Sequence, residues 1–179
     1  FSGDLIHASG TLEYSTVSNI AGPAGNLGQG SAIFIGAATL SFVGDTTSQS
    51  TNRTITQTGA STYGANGANG AVITYAGAID AGVNNFTLTG TAGSAGFITG
   101  GLTQTGTTAD GTINGGSWTF SGGITTVADN LTVTGPDTVL SLAGTGVLAF
   151  LSGAGSGDLN ILNGATVNVS ADNPVDMTI

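Results

Sequence analysis

Apolar and small polar residues alternate in short runs along this chain, and Gly, Asn, Asp or Ser closes nearly every run. Period-two runs bounded by turn formers are the pattern of half-buried β-strands. No stretch places apolar residues at i, i+3, i+4 and i+7 over three turns, and Gly or Thr interrupts most windows where a helix could start. The predicted class is therefore all-β. Strands are expected at 11–17, 32–35, 39–43, 53–58, 71–75, 85–89, 101–105, 117–121, 130–134, 138–142, 147–151, 159–162 and 166–169.

Five of these runs share one phrase: an apolar residue, Thr, a variable residue, Thr or Ser, then Gly. It reads Ile55-Thr56-Gln57-Thr58-Gly59, Phe86-Thr87-Leu88-Thr89-Gly90, Leu102-Thr103-Gln104-Thr105-Gly106, Trp118-Thr119-Phe120-Ser121-Gly122 and Leu131-Thr132-Val133-Thr134-Gly135. Side chains alternate across a strand, so positions one and three face one side and the hydroxyls at two and four face the other. Gln57 and Gln104 break the apolar rule at position three, as residues at a corner or as a stacked amide pair.

Repetition on this scale indicates one supersecondary unit stacked many times. The phrases begin at 55, 86, 102, 118 and 131, which is too irregular for a strict hexapeptide solenoid or for propeller blades. A parallel β-helix (β-solenoid) with irregular coil length and loop insertions accommodates such spacing. At about 20 to 25 residues per coil and ~4.8 Å between stacked strands, roughly seven to nine coils are expected, a rod of about 35 to 45 Å. Residues 1–179 read as one solenoid segment, a window of a longer repetitive chain. Within it, residues 59–70 carry Gly64-Ala65-Asn66-Gly67-Ala68-Asn69-Gly70, a Gly/Ala/Asn loop expected to bulge from one coil.

Composition narrows the function classes. Hydrophobic residues form 39% of the chain and charged residues only 6%, the reverse of a disordered composition. Arg53 is the only permanent cation, against ten carboxylates, for a formal charge of −9. Nucleic acid and anionic lipid are captured by Lys and Arg, so neither is an expected partner. Cys is absent, which removes disulfides, thiolate metal sites and Cys nucleophiles. The longest apolar run, Val147-Leu148-Ala149-Phe150-Leu151, is far shorter than the ~20 residues of a spanning helix, so no transmembrane helix is expected.

Two segments resemble the autotransporter-associated β-strand repeats of large bacterial surface proteins. One runs from Asn26-Leu27-Gly28-Gln29-Gly30 through Ala32-Ile33-Phe34-Ile35-Gly36 and Thr39-Leu40-Ser41-Phe42-Val43-Gly44 to Ser48-Gln49-Ser50-Thr51-Asn52-Arg53-Thr54-Ile55. The other is the series of Thr-Gly phrases from Phe86 to Gly135. The resemblance implies a right-handed parallel β-helix in an extracellular or cell-surface passenger: a stalk or self-assembling fibre, non-enzymatic, stacking end to end or on flanking coils. It makes Arg53 a turn residue bonded to nearby backbone carbonyls. The alternative is an adhesin that binds a glycan or host protein through inserted loops such as 59–70.

No catalytic, cofactor-binding or metal-binding residue set is assigned. His7 is the only His, so a Ser-His-Asp arrangement would have to be built on it. Ala92-Gly93-Ser94-Ala95-Gly96 lacks the following helix that a nucleophile elbow needs. Asp172 and Asp176 are the nearest carboxylate pair that a glycoside hydrolase could use. Calcium is the one metal to weigh, because carboxylates, turn Asn and carbonyls are hard oxygen ligands. Its candidates are Gly153-Ala154-Gly155-Ser156-Gly157-Asp158-Leu159, Ala128-Asp129-Asn130 and Ala171-Asp172-Asn173, the last two also readable as Asp and Asn capping their own backbone. Sequons begin at Asn52, Asn85, Asn130 and Asn168, and Trp118 reads as core or as a sugar platform, core packing being preferred.

Overall fold

The computed structural model describes residues 2–20, 22–23, 25–45, 47–68, 70–151 and 157–170. Eighteen strands and no helix occur among them. Every strand pairing is parallel, and the strands stack as a β-solenoid of about six turns. The count falls below seven to nine because no strand occurs among the described residues between Tyr14 and Ala32 and the coils reach 28 residues in places.

Each coil has three faces. The first carries the amino-terminal half of β2 (Ala32–Phe42), then β4 (Thr54–Gln57), β7 (Ile79–Gly82), β10 (Leu102–Gln104), β13 (Ile124–Val127) and β16 (Val147–Phe150). The second carries the other half of β2, then β5 (Ser61–Ala65), β8 (Phe86–Gly90), β11 (Gly111–Asn114), β14 (Leu131–Thr134) and β17 (Leu159–Leu162). The third carries β3 (Ser48–Thr51), β6 (Val72–Tyr75), β9 (Ala95–Ile98), β12 (Ser117–Phe120), β15 (Val139–Leu142) and β18 (Thr166–Val169). β1 (Leu5–Tyr14) lies along β2 and spans the first two faces.

This layout accounts for the irregular phrase spacing. Ile55 and Leu102 begin phrases on the first face, Phe86 and Leu131 on the second, and Trp118 on the third. The phrase marks any favourable strand, whichever face it occupies. Positions one and three are buried in all five phrases, including Gln57 and Gln104, while Thr or Ser lies outward.

The interior is built from stacked apolar columns. On the first face Ile33, Ile55, Ile79 and Leu102 lie one above another, followed by the buried Thr125. On the second, Leu40, Tyr63, Leu88, Ile113 and Val133 do the same. Large rings are accommodated by small residues in adjoining coils. Trp118 is fully buried and pairs in register with Gly96, where an added Cβ would overlap the indole. Phe86 pairs with Gly111 in the same way, and a Cβ at Gly111 would overlap its ring. Trp118 is thus a core residue and not a sugar platform.

Residues 59–70 do not form a bulging loop throughout. Ser61–Ala65 is strand β5, with Tyr63 and Ala65 fully buried, and only the segment after Ala65 turns the corner. That turn is tied to its neighbours: Asn66 N–H donates to Phe42 O at 2.8 Å, Ala68 N–H to Gly44 O at 2.9 Å and Gly70 N–H to Gly93 O at 2.8 Å. Small residues and Tyr63 serve as well on a crowded inward face as bulkier aliphatics, which is why composition pointed to a loop.

Candidate functional site: an outward threonine column and a polar interior

On the second face a single outward position is Thr in six consecutive coils. Thr11 pairs in register with Thr39, Thr39 with Thr62, Thr62 with Thr87, Thr87 with Thr112, and Thr112 with Thr132. Asn160 continues the row. Two residues further along each strand a second row holds Ser41, Gly64, Thr89, Asn114 and Thr134. Ser41 and Gly64 are buried beneath the Asn66 side chain, whose Nδ2 donates to Ser41 Oγ at 3.0 Å, so this row is open only at Thr89, Asn114 and Thr134. From Thr39 to Thr134 neither row contains an ionisable or aromatic side chain. The other faces differ. Phe34, Thr56, Asp80 and Thr103 form the outward row of the first face, whose register shifts between Thr103 and Gln104. Val72, Phe97 and Val139 interrupt the third.

The edge between the first and second faces is closed by an Asn/Asp ladder, one residue per coil. Asp110 N–H donates to Asn85 Oδ1 at 3.0 Å, Asn130 N–H to Asp110 Oδ1 at 3.1 Å, and Asp158 N–H to Asn130 Oδ1 at 3.2 Å. Backbone bonds run the opposite way, Gly111 N–H to Asn130 O and Leu131 N–H to Asp158 O, both at 2.8 Å. The Asn130 amide therefore caps the neighbouring coil and not its own turn, and the sequon residues Asn85 and Asn130 are committed to structure. Acid and amide alternate up the ladder, which keeps carboxylates two coils apart, about 9.6 Å. Asn130→Ala is expected to lower stability by about 0.5–1.5 kcal/mol, read from urea melts, because the bonds from Asp158 N–H and to Asp110 Oδ1 are lost at a partly exposed edge.

The two inward glutamines each end a strand at a corner and do not pair. Gln104 is completely buried; its Nε2 donates to Asn84 O at 2.9 Å and Asp110 O at 3.1 Å, and its Oε1 accepts from Ala128 N–H at 3.1 Å. Gln57 Nε2 donates to the Tyr63 hydroxyl at 2.9 Å. β7 separates their strands. Nearby, the Tyr14 and Tyr75 hydroxyls share a hydrogen bond of 2.6 Å, and the Tyr63 ring meets Tyr75 edge-on at 5.8 Å. Burial pushes all three phenols well above the usual tyrosine range.

Arg53 is buried, and its guanidinium donates to Leu27 O at 2.5 Å and Ala32 O at 2.6 Å. The same Ala32 donates its N–H to Asp4 Oδ1 at 2.9 Å, so one residue links the cation to a carboxylate. Desolvation lowers the Arg53 pKa, and the Asp4 charge opposes this. It is a cross-coil clamp, bonded to backbone carbonyls as the repeat resemblance implies.

The remaining candidates are dispersed. His7 Nε2 donates to Gly10 O at 3.2 Å on the exposed first coil. Ser94 sits in the turn between β8 and β9, its hydroxyl bonded to Ala65 O and Thr91 O. Asp172, Asp176, Ala171-Asp172-Asn173 and residues 153–156 of the glycine-rich run lie outside the described residues. Among the described residues, no three His, Cys, Asp or Glu side chains gather as a metal site. An open groove of about 460 Å³ lies where the short turn Gly115-Gly116 is recessed between Ala92-Gly93-Ser94 and Pro136-Asp137, and Asp137 is its one carboxylate. No helix among the described residues is long and apolar enough to cross a membrane. No family model, curated protein or solved structure matches this chain.

Proposed function

We propose that the chain is a non-enzymatic structural segment of a bacterial extracellular or cell-surface stalk or fibre, in which the solenoid supplies length and rigidity. The observation that carries this reading is the coil-on-coil stack itself. Each coil buries its apolar columns only against its neighbours, so the architecture extends by adding rungs. In the last described coil Ile161 and Val169, in register with the buried Val133 and Leu142, are 49% and 48% exposed. Parallel edges with such rungs are templates for further strands, whether from flanking coils or from another copy. Among the described residues the His, the Arg and the carboxylates are dispersed, which supports a role without catalysis.

Negative-stain electron microscopy across a concentration series tests the fibre form. Filaments one solenoid wide are expected as concentration rises, and particles that stay monomeric at the highest concentration would reject self-assembly. Incubation with a panel of polysaccharides is expected to release no reducing ends. Sugar release by the pure protein would overturn the non-enzymatic reading.

A further inference from the structure

We infer that the second face is an ice-binding surface, its threonine column and the open part of the row beside it, Thr89, Asn114 and Thr134, forming a rigid template for ordered water. This goes beyond a structural role, and the rod reading does not depend on it. Parallel strands place equivalent residues about 4.8 Å apart between coils, and residues two apart in a strand roughly 6.6 Å apart. These repeats are of the same order as the spacings between oxygen rows on a face of ice. The register from β1 through β2, β5, β8, β11 and β14 runs without a shift, so the repeat is kept over six coils.

The side chains suit that occupant. Threonine is β-branched and stiff about χ1, so each residue holds one methyl and one hydroxyl in a constant orientation. The methyls order first-shell water and the hydroxyls bond it. Among the described residues, the six column hydroxyls make no hydrogen bond within the protein. Threonines at turns are committed instead: Thr91 Oγ1 donates to Gly67 O at 3.1 Å and Thr138 Oγ1 to Thr134 O at 2.6 Å. Ionised groups would hold hydration shells that do not fit a crystal of water, and from Thr39 to Thr134 neither row has one; the Asp110 carboxylate, two residues before Thr112, stays in the corner ladder, where its Oδ1 accepts from Asn130. Aromatic rings that would stack on sugars are likewise missing from its outward positions, which favours ice over a polysaccharide. The first and third faces, with Asp80 or with Val72, Phe97 and Val139 outward, serve as internal contrasts.

The test is partition into slowly growing ice, with thermal hysteresis measured in parallel. The wild-type chain is expected to be incorporated into ice and to depress the freezing point below the melting point. Thr87→Tyr/Thr112→Tyr should be excluded from ice, with its β circular dichroism and melting temperature retained. Thr103→Tyr, on the first face, should behave as wild type. Should the double variant fail to fold, Thr112→Lys alone is expected to abolish hysteresis. Exclusion of the wild type, unchanged partition of a folded second-face variant, or equal loss in Thr103→Tyr would each overturn the inference. So would capture on insoluble cellulose or chitin combined with exclusion from ice.

Discussion

Gly96→Val is expected to destabilise the protein by roughly 3 kcal/mol, because a side chain there enters space held by the Trp118 indole. The ring has little room to retreat: Trp118 is fully buried, and the next coil places Leu140 directly against it. Trp118→Ala should cost about 3–5 kcal/mol by emptying the same volume. The two changes are opposite in sign within one cavity, so they should not add. Gly96→Val/Trp118→Ala is expected to be at least ~1 kcal/mol more stable than the sum of the single variants predicts. Urea melts of the four proteins give the coupling directly, and strict additivity would show that indole and glycine do not share a rung.

Alkaline titration should show no tyrosinate in the native protein through the range near pH 10 where free tyrosines ionise. All three tyrosines of the chain, Tyr14, Tyr63 and Tyr75, are buried, and desolvation is the largest cause of their raised pKa values. The sign follows from proton counting. Above about pH 10 the unfolded chain loses phenolic protons that the native chain keeps, so the unfolded state binds fewer protons and stability falls as pH rises. Below that range these groups are protonated in both states and contribute no pH dependence. The expected record is a single cooperative rise in tyrosinate absorbance that coincides with loss of the β circular dichroism signal. A separate early rise from any one tyrosine, with the fold intact, would contradict the buried arrangement.

Strands that begin inward with a large apolar residue mostly announce themselves, β7 being the exception because Asp80-Ala81-Gly82 after its buried Ile79 reads as a turn; those that begin inward with a small or polar residue do not. β4, β8, β12, β14 and β17 coincide closely with runs visible in the sequence. β3, β5, β7, β9, β11 and β13 were not expected, and their inward positions include Gln49, Thr51, Ser61, Ala81, Gly96, Gly111 and Thr125. Where a large ring fills one rung the next holds a small residue, as Gly96 beside Trp118 and Gly111 beside Phe86, so those inward positions carry no hydrophobic signal. The threonine column was hidden for a related reason. Its residues are separated by 28, 23, 25, 25 and 20 positions, because turn lengths vary while register does not.

Local alternation, low charge and the density of turn formers were sufficient to determine an all-β chain of stacked short strands with hydroxyls outward, because side-chain alternation is a property of each strand alone. Which strands share a face, which residues meet between coils and which corner amides cap a neighbour were decided only by the tertiary structure. Those relations join residues 20 to 28 positions apart across turns of unequal length. The parallel ladder enforces the match through backbone hydrogen bonds, which carry no sequence signature.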